Sequence, residues 1–157
     1  MGALNADMQR LVRGQKLGYV ATVCADGTPN LSPKGTLTVW DDDHLVFLDI
    51  RSPATVANLS ERPAVEVNVV DPLARRGYRF KGRATVLAEG ALFDEVLARY
   101  RADGLGPYAV RHVVLIEVER AAAMRSPGYD LGLTEADLRA RFRAHYAELD
   151  AGSPSRE

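Results

Sequence analysis

Residues 78–86 carry the most regular pattern in the chain, and this pattern limits what the chain can fold into. Two sets of side chains alternate along it: Tyr78, Phe80, Gly82, Ala84 and Val86 on one side, and Arg79, Lys81, Arg83 and Thr85 on the other. Successive side chains of a β-strand point to opposite faces of a sheet. The stretch therefore predicts a strand with one face in the core and a basic face outside.

Five further strands are predicted from short apolar or alternating runs. They cover residues 19–24, 31–40, 45–50, 65–69 and 112–118. Asp26-Gly27, between the first two, is typical of a hairpin turn. A parallel sheet would need a helix between most pairs of strands, and the sequence lacks that alternation. We therefore predict a mainly β, α+β fold: a six-stranded antiparallel barrel with peripheral helices.

Apolar residues at helical spacing predict the peripheral helices. These lie near residues 4–15 and 91–100, after Ser52, and from Thr134 onward. No repeat or linker divides the chain. We therefore predict a single domain over residues 1–150 and a disordered tail over residues 151–157.

The predicted strand at residues 31–40 contains two residues that strands usually avoid, Pro33 and Gly35. Proline cannot donate to a ladder of hydrogen bonds, and glycine has no side chain to pack. Their presence favours an edge strand, a bulge, or a close approach of the backbone to another group.

The junction after Ile50, where a strand ends and a helix begins, is the candidate binding site. Ser52 suits the N-cap, Pro53 suits the first helical position, and Thr55 brings a hydroxyl to the first turn. Arg51 stands directly before a helix N-terminus, whose free N–H groups carry partial positive charge. The junction predicts a site for a phosphate or another anion. The alternative is an ordinary capped helix without a ligand.

Composition counts against several classes of partner. The chain has 157 residues, with 20 Lys and Arg against 21 Asp and Glu and a formal charge of -1. Near-neutral charge gives no reason to expect a nucleic acid or an anionic membrane as partner. No apolar run is long enough to span a bilayer, and the N-terminus lacks the apolar region of a signal peptide. The expected location is the cytoplasm.

The candidate metal ligands and nucleophiles are few and scattered. Cys24 is the only cysteine, so the chain can form no internal disulfide or thiolate cluster. His44, His112 and His145 share no metal spacing, so no metal site is predicted. No Ser-His-Asp or paired-carboxylate arrangement is visible, and no catalytic side chain is predicted.

The order of the motifs resembles the pyridoxamine 5'-phosphate oxidase-like, FMN-binding split-barrel family. The motifs are PNLSP at 29–33, RSPATVANL at 51–59, ERPAV at 61–65 and YRFKGRA at 78–84. The resemblance covers about residues 17–119 and implies a split barrel that forms a homodimer, with FMN between the subunits. It implies that the cofactor-binding residues are Ser32, Pro33, Lys34, Gly35, Asp49, Ile50, Arg51, Ser52, Thr55, Asn58 and Lys81.

One position departs from the family pattern. Many members carry a lysine shortly after the Arg51-Ser52 position, and this chain has Ala54 there. The phosphate charge would then fall to Arg51, Lys34 or Lys81, and a deazaflavin such as F420 is the alternative cofactor.

Three functions that involve a flavin or a deazaflavin remain open from the sequence. The resemblance implies a flavin-dependent oxidoreductase acting on a small-molecule substrate. The first alternative is a flavin-binding carrier or sensor without turnover, and the second is a deazaflavin-dependent reductase. The basic strand face at 79–83 also permits a nucleic-acid module, but the net charge counts against one.

Overall fold

The structure, a computed structural model, describes residues 2–152 as one antiparallel sheet with four α-helices. The helices are α1 (Ala6–Gln15), α2 (Pro53–Glu61), α3 (Ala91–Ala102) and α4 (Glu135–Gly152), with a 3-10 turn at Pro127–Tyr129. The strands are β1 (Gly18–Val23), β2 (Pro29–Lys34), β3 (Thr38–Val39), β4 (His44–Asp49), β5 (Ala64–Asp71), β6 (Arg76–Leu87) and β7 (His112–Arg125). The predicted fold class, an antiparallel split barrel with peripheral helices, is confirmed.

The sheet contains seven strands, and the predicted number of six was wrong. Its order is β2-β1-β5-β6-β7-β4-β3. The single strand predicted at 31–40 is two strands, because the chain leaves β1 after Lys34 and pairs with β4 from Thr38. Those two halves form opposite edges of the sheet, yet only three residues separate them. The sheet must therefore curl until its edges come close, as in a half-barrel. Pro33 lies in edge strand β2, one of the three settings predicted for it.

The core fills the inside of this curl. Val20, Val67, Phe80 and Ile116 each have no exposed surface there. β4 is apolar on both faces, as expected for a wall strand: Leu45 and Phe47 face the barrel interior, whereas Val46 and Leu48 pack under α3.

The predicted alternation along β6 is confirmed, because Phe80 and Ala84 are buried while Lys81 and Arg83 are exposed. The pairing of β6 with β7 shifts register between Lys81 and Gly82. A Cβ atom at Gly82 would lie 1.9 Å from the carbonyl oxygen of Glu117, so only glycine permits this close backbone approach.

An ion-pair network connects α1 and α4 to the start of β6. Asp7 accepts hydrogen bonds from Arg76 at 2.9 Å and from the Tyr78 hydroxyl at 2.6 Å. Arg76 also pairs with Glu135 at 3.3 Å. The Arg76 hydrogen bond, with that of Tyr78, lowers the pKa of Asp7 to about 2.

The chain ends are only partly described. α4 extends through Gly152, and residues 153–157 of the predicted tail lie outside the described residues. Within residues 2–152, no helix is long and apolar enough to cross a membrane.

We predict that Asp7→Asn lowers the unfolding free energy by about 1 kcal/mol at pH 7, a value reduced for solvent screening. A carboxylate with a lowered pKa stabilises the fold above its ordinary pKa, and that contribution is lost as pH falls toward 2. Urea unfolding from pH 7 to pH 2 should show the two proteins converging. Asp94→Asn is the matched control, because Asp94 also lies in the first turn of a helix. An equal loss in both variants would assign the effect to the helix dipole.

Candidate functional site

Lys34 is the last residue of β2, and its side chain turns into the barrel. The residue is only 4% exposed. Its Nζ donates to Ser32 Oγ at 2.6 Å and to Ser52 Oγ at 2.8 Å. Since Ser52 immediately precedes α2, this lysine joins the edge of the sheet to the start of that helix.

The surroundings of Lys34 disfavour its charged form overall. Burial lowers the pKa of the Lys34 ammonium, and the nearby Asp49 carboxylate partly offsets this by favouring the charged form. The ammonium also lies 5.6 Å from the centre of the Phe47 ring, within the range of a cation–π contact. A buried lysine with a depressed pKa is a common feature of functional sites.

Asp49 is the second buried charge of this site, at 2% exposed. Its Oδ1 accepts a hydrogen bond from the Ser52 N–H at 2.8 Å. Its Oδ2 lies 2.8 Å from His112 Nδ1. An ionised carboxylate only accepts hydrogen bonds, so Nδ1 of His112 carries the proton and Nε2 is left for another partner.

Sequence reasoning missed His112, because it considered histidines only as metal ligands. His112 is 63 residues from Asp49 and becomes its direct neighbour when β4 pairs with β7. Nothing in the local sequence around His112 signals this pairing. No cluster of three or more potential metal ligands occurs among residues 2–152.

The N-terminus of α2 has the predicted form but a different capping arrangement. Ser52 is the N-cap residue and Pro53 is in the first turn, as expected. The Ser52 side chain does not cap the helix, because its hydroxyl accepts from Lys34 instead. Within the described residues, the N–H groups of Ala54 and Thr55 and the Thr55 hydroxyl have no hydrogen-bond partner. With Arg51 exposed beside them, these donors suit an anion.

Asn58 faces the barrel wall rather than the helix start. It is 7% exposed, and its Nδ2 donates to Thr22 Oγ1 at 3.0 Å. Asn30 Nδ2 donates to the same hydroxyl at 3.1 Å. The structure therefore gives Asn58 a role in anchoring α2 to β1, and its predicted contact with a cofactor stays a prediction.

We predict that Asn58→Ala destabilises the protein by about 2 kcal/mol, because it removes a buried hydrogen bond and leaves a small cavity. Asn30→Ala is the matched control, since Asn30 donates to the same hydroxyl from a part-exposed position. Its loss should cost about 1 kcal/mol or less. Chemical denaturation of both variants gives the comparison, and equal losses would contradict the anchoring role.

Three other predicted residues take no part in the hydrogen bonds of Lys34 and Asp49. Pro33 is exposed in edge strand β2, and Ile50 packs with the apolar cluster under α3. Gly35 is exposed in the loop after β2, where an added Cβ atom would meet nothing within 4 Å. This loop lines a cleft of about 510 Å³, together with Arg13, Lys16, Arg99 and Tyr100. Beside Gly35 there is open space for a ligand.

Lys81 lies on the opposite face of the sheet from Lys34. Its Nζ pairs with Glu66 at 3.1 Å, and Arg79 pairs with the same carboxylate at 2.8 Å. On this outer face, an open cleft of about 370 Å³ is lined by Tyr19, Ala21, Leu31, Glu66, Asn68 and Arg79. The structure thus separates the predicted residues into two groups. The interior cluster is the hydrogen-bonded set around Lys34 and Asp49, namely Ser32, Lys34, Asp49 and Ser52, and Lys81 lies on the outer surface.

Comparison with known proteins identifies the family. The sequence model of the family described as pyridoxamine 5'-phosphate oxidase matches residues 4–125, more than half of the chain. The chain belongs to this family. No curated protein matches the sequence.

Solved structures agree with membership of the pyridoxamine 5'-phosphate oxidase family. HupZ from Group A Streptococcus is 32% identical, with a TM-score of 0.70, and the match covers 78% of this chain and 95% of HupZ.

Two more distant structures share the fold alone. An FMN-binding protein from Syntrophomonas wolfei is 17% identical with a TM-score of 0.63, covering 76% of this chain and 84% of that one. An F420 reductase is 22% identical with a TM-score of 0.59, covering 76% and 98%.

Proposed function

We propose that this protein binds FMN and acts as a flavin-dependent oxidoreductase on a small-molecule substrate. The observation that carries the proposal is the convergence of buried Lys34 on the N-terminus of α2, where N–H donors remain unpaired. Membership of the pyridoxamine 5'-phosphate oxidase family and the shared fold of an FMN-binding protein support the choice of cofactor.

The first turn of α2 would hold the phosphate of FMN. The free N–H groups of Ala54 and Thr55 are the natural donors, and the Thr55 hydroxyl can add a third. Arg51 contributes a full positive charge beside them. Lys34 also brings positive charge close to this turn through Ser52, which helps to offset the absence of a lysine at Ala54.

The end of β2 and the end of β4 would border the flavin ring. Ser32, Pro33, Lys34 and Gly35 belong to the first segment, and Asp49, Ile50 and Ser52 to the second. Bound FMN supplies hydride or electron transfer, and the protein positions and tunes it. Lys34 would stabilise negative charge on the ring, and the open space beside Gly35 would admit the ring or a substrate.

We predict that Thr55→Val weakens FMN binding about tenfold, because it removes a hydroxyl donor to an anion. Thr55→Ser keeps that hydroxyl and should bind FMN like the unmodified protein. Fluorescence titration with FMN and riboflavin gives the dissociation constants. Riboflavin lacks the phosphate, so its binding should be the same in all three proteins. A parallel loss of riboflavin binding in the valine variant would place the phosphate elsewhere.

We also propose that the outer face of β1, β2, β5 and β6 forms a homodimer interface with a cofactor site at its border. Leu31 is 66% exposed and Tyr19 is 45% exposed on this face, a large exposure for two neighbouring apolar side chains. Lys81 and Arg79 lie on the same face, and Lys81 would approach the cofactor of the partner subunit.

We predict that Leu31→Glu converts the dimer into a monomer, because a charge in an apolar interface has a large desolvation cost. Light scattering coupled to gel filtration measures the mass. Leu131→Glu is the control, since Leu131 is 85% exposed in the loop before α4, outside this face. A monomeric unmodified protein, or a Leu31→Glu dimer, would refute the interface.

A deazaflavin-dependent reductase is the second candidate, favoured by the fold shared with an F420 reductase. Absorption spectra of the purified protein, followed by titration with FMN and with F420, separate the two cofactors. A carrier or sensor without turnover is the remaining alternative. It predicts that reduced flavin on the protein is reoxidised by oxygen faster than by any added substrate, whereas an oxidoreductase predicts the reverse for its own substrate.

A further inference from the structure

The interior cluster carries too little positive charge for a phosphate monoester. Such a group has a charge of about −1.5 to −2 at pH 7. Lys34 and Asp49 are both buried, and the positive charge of one offsets the negative charge of the other. Arg51, the full positive charge that directly precedes the N-cap of α2, is exposed to solvent. A second cation would bring the site close to neutrality with its ligand.

His112 is the side chain placed to supply that cation. Its Nδ1 and the N–H of Ser52 bind the two oxygens of the same Asp49 carboxylate, each at 2.8 Å. The imidazole is therefore one carboxylate away from the N-cap of α2. Its side chain is 31% exposed, while that of Asp49 is 3% exposed. The ring is accessible, and its Nε2 atom has no hydrogen-bond partner among the described residues.

We propose that His112 is a switchable cation of the phosphate site: its imidazole takes up a proton when the phosphate of FMN binds. The inference rests on the proposed FMN binding and adds a residue and a proton to it. Nε2 of His112 gains the proton from solvent, and Nδ1 keeps its own proton on Asp49. No bond other than N–H is made or broken.

The charged groups around His112 carry both signs. Asp49 of β4 contacts the ring through its Oδ2 atom. Lys34 of β2 interacts electrostatically with the same Asp49 carboxylate. Arg111 precedes His112 in the chain, and its backbone N–H donates to the carbonyl oxygen of Asp49. Arg51 is exposed at the start of α2. An incoming phosphate would add negative charge to this group of residues and so favour the imidazolium form.

His44 provides a matched control within the same chain. Its Nδ1 lies 2.7 Å from Asp41 Oδ1, and its side chain is 30% exposed, close to the value for His112. Asp41, however, is 49% exposed in the turn before β4, whereas Asp49 is buried at the other end of that strand. His44 thus shares the Asp–His pair and lacks the neighbouring helix start.

Calorimetric titration with FMN at pH 8 in two buffers of different ionisation enthalpy measures the protons taken up. We expect the unmodified protein and His44→Gln to take up part of a proton with FMN and none with riboflavin. His112→Gln should lose this uptake. Reciprocal coupling then requires FMN affinity to rise between pH 8 and pH 6.5, on the order of tenfold, in the unmodified protein and not in His112→Gln.

A permanent charge at the same position gives the complementary result. His112→Lys should bind FMN at pH 8 more tightly than the unmodified protein and without proton uptake. This variant also guards against misfolding of His112→Gln, and thermal melting of both checks the fold. FMN binding without proton uptake, or uptake retained in His112→Gln, would overturn the role of His112 alone. Failure of the unmodified protein to bind FMN would overturn the proposed function and this inference with it.

Discussion

The burial of the Asp49 carboxylate is the constraint on which the site depends. An ionised side chain that is 2% exposed loses its hydration, and only close partners can compensate for that loss. Asp49 finds them in three places: the Ser52 N–H, His112 of β7 and the positive charge of Lys34. Because each partner comes from a different element, satisfying this one charge fixes the end of β4, the start of α2 and the start of β7 together.

The curl of the sheet makes this convergence possible. β2 and β3 are consecutive in the chain and lie at opposite edges, so the end of β2 approaches β4 and the helix that follows it. Lys34 can then reach Ser52 from 18 residues away. A flat sheet with the same strand order would hold these groups on opposite edges. The fold thus brings two strand ends to one helix N-terminus, where the binding site is proposed.

Local patterns in the sequence were sufficient to predict most helices and strands. They were not sufficient to predict which strands pair with each other. The alternation around Phe80 predicted β6, Pro33 allowed an edge strand as one of three settings, and Ser52-Pro53 located the start of α2. The split of residues 31–40 was missed because Pro33 and Gly35 were interpreted as irregularities within one strand, and only pairing with β4 separates the halves. Thr55 was found as a candidate from the pattern of the helix start, and Lys34 through the family resemblance. His112 was missed because its partner comes from strand pairing across 63 residues, which no local pattern encodes.

The energetic cost of burying Lys34 would be reduced by a bound anion. The pKa of Lys34 is lowered, so its charged form is less favourable in the folded protein than in the unfolded chain, and this cost is relieved as pH rises through the lowered pKa. An anion at the start of α2 relieves the same cost at neutral pH, because it attracts the ammonium and accepts from the unpaired N–H groups. Binding an anion therefore stabilises the fold itself. The burial of Lys34, which is unfavourable for stability alone, is what the proposed anion site would account for.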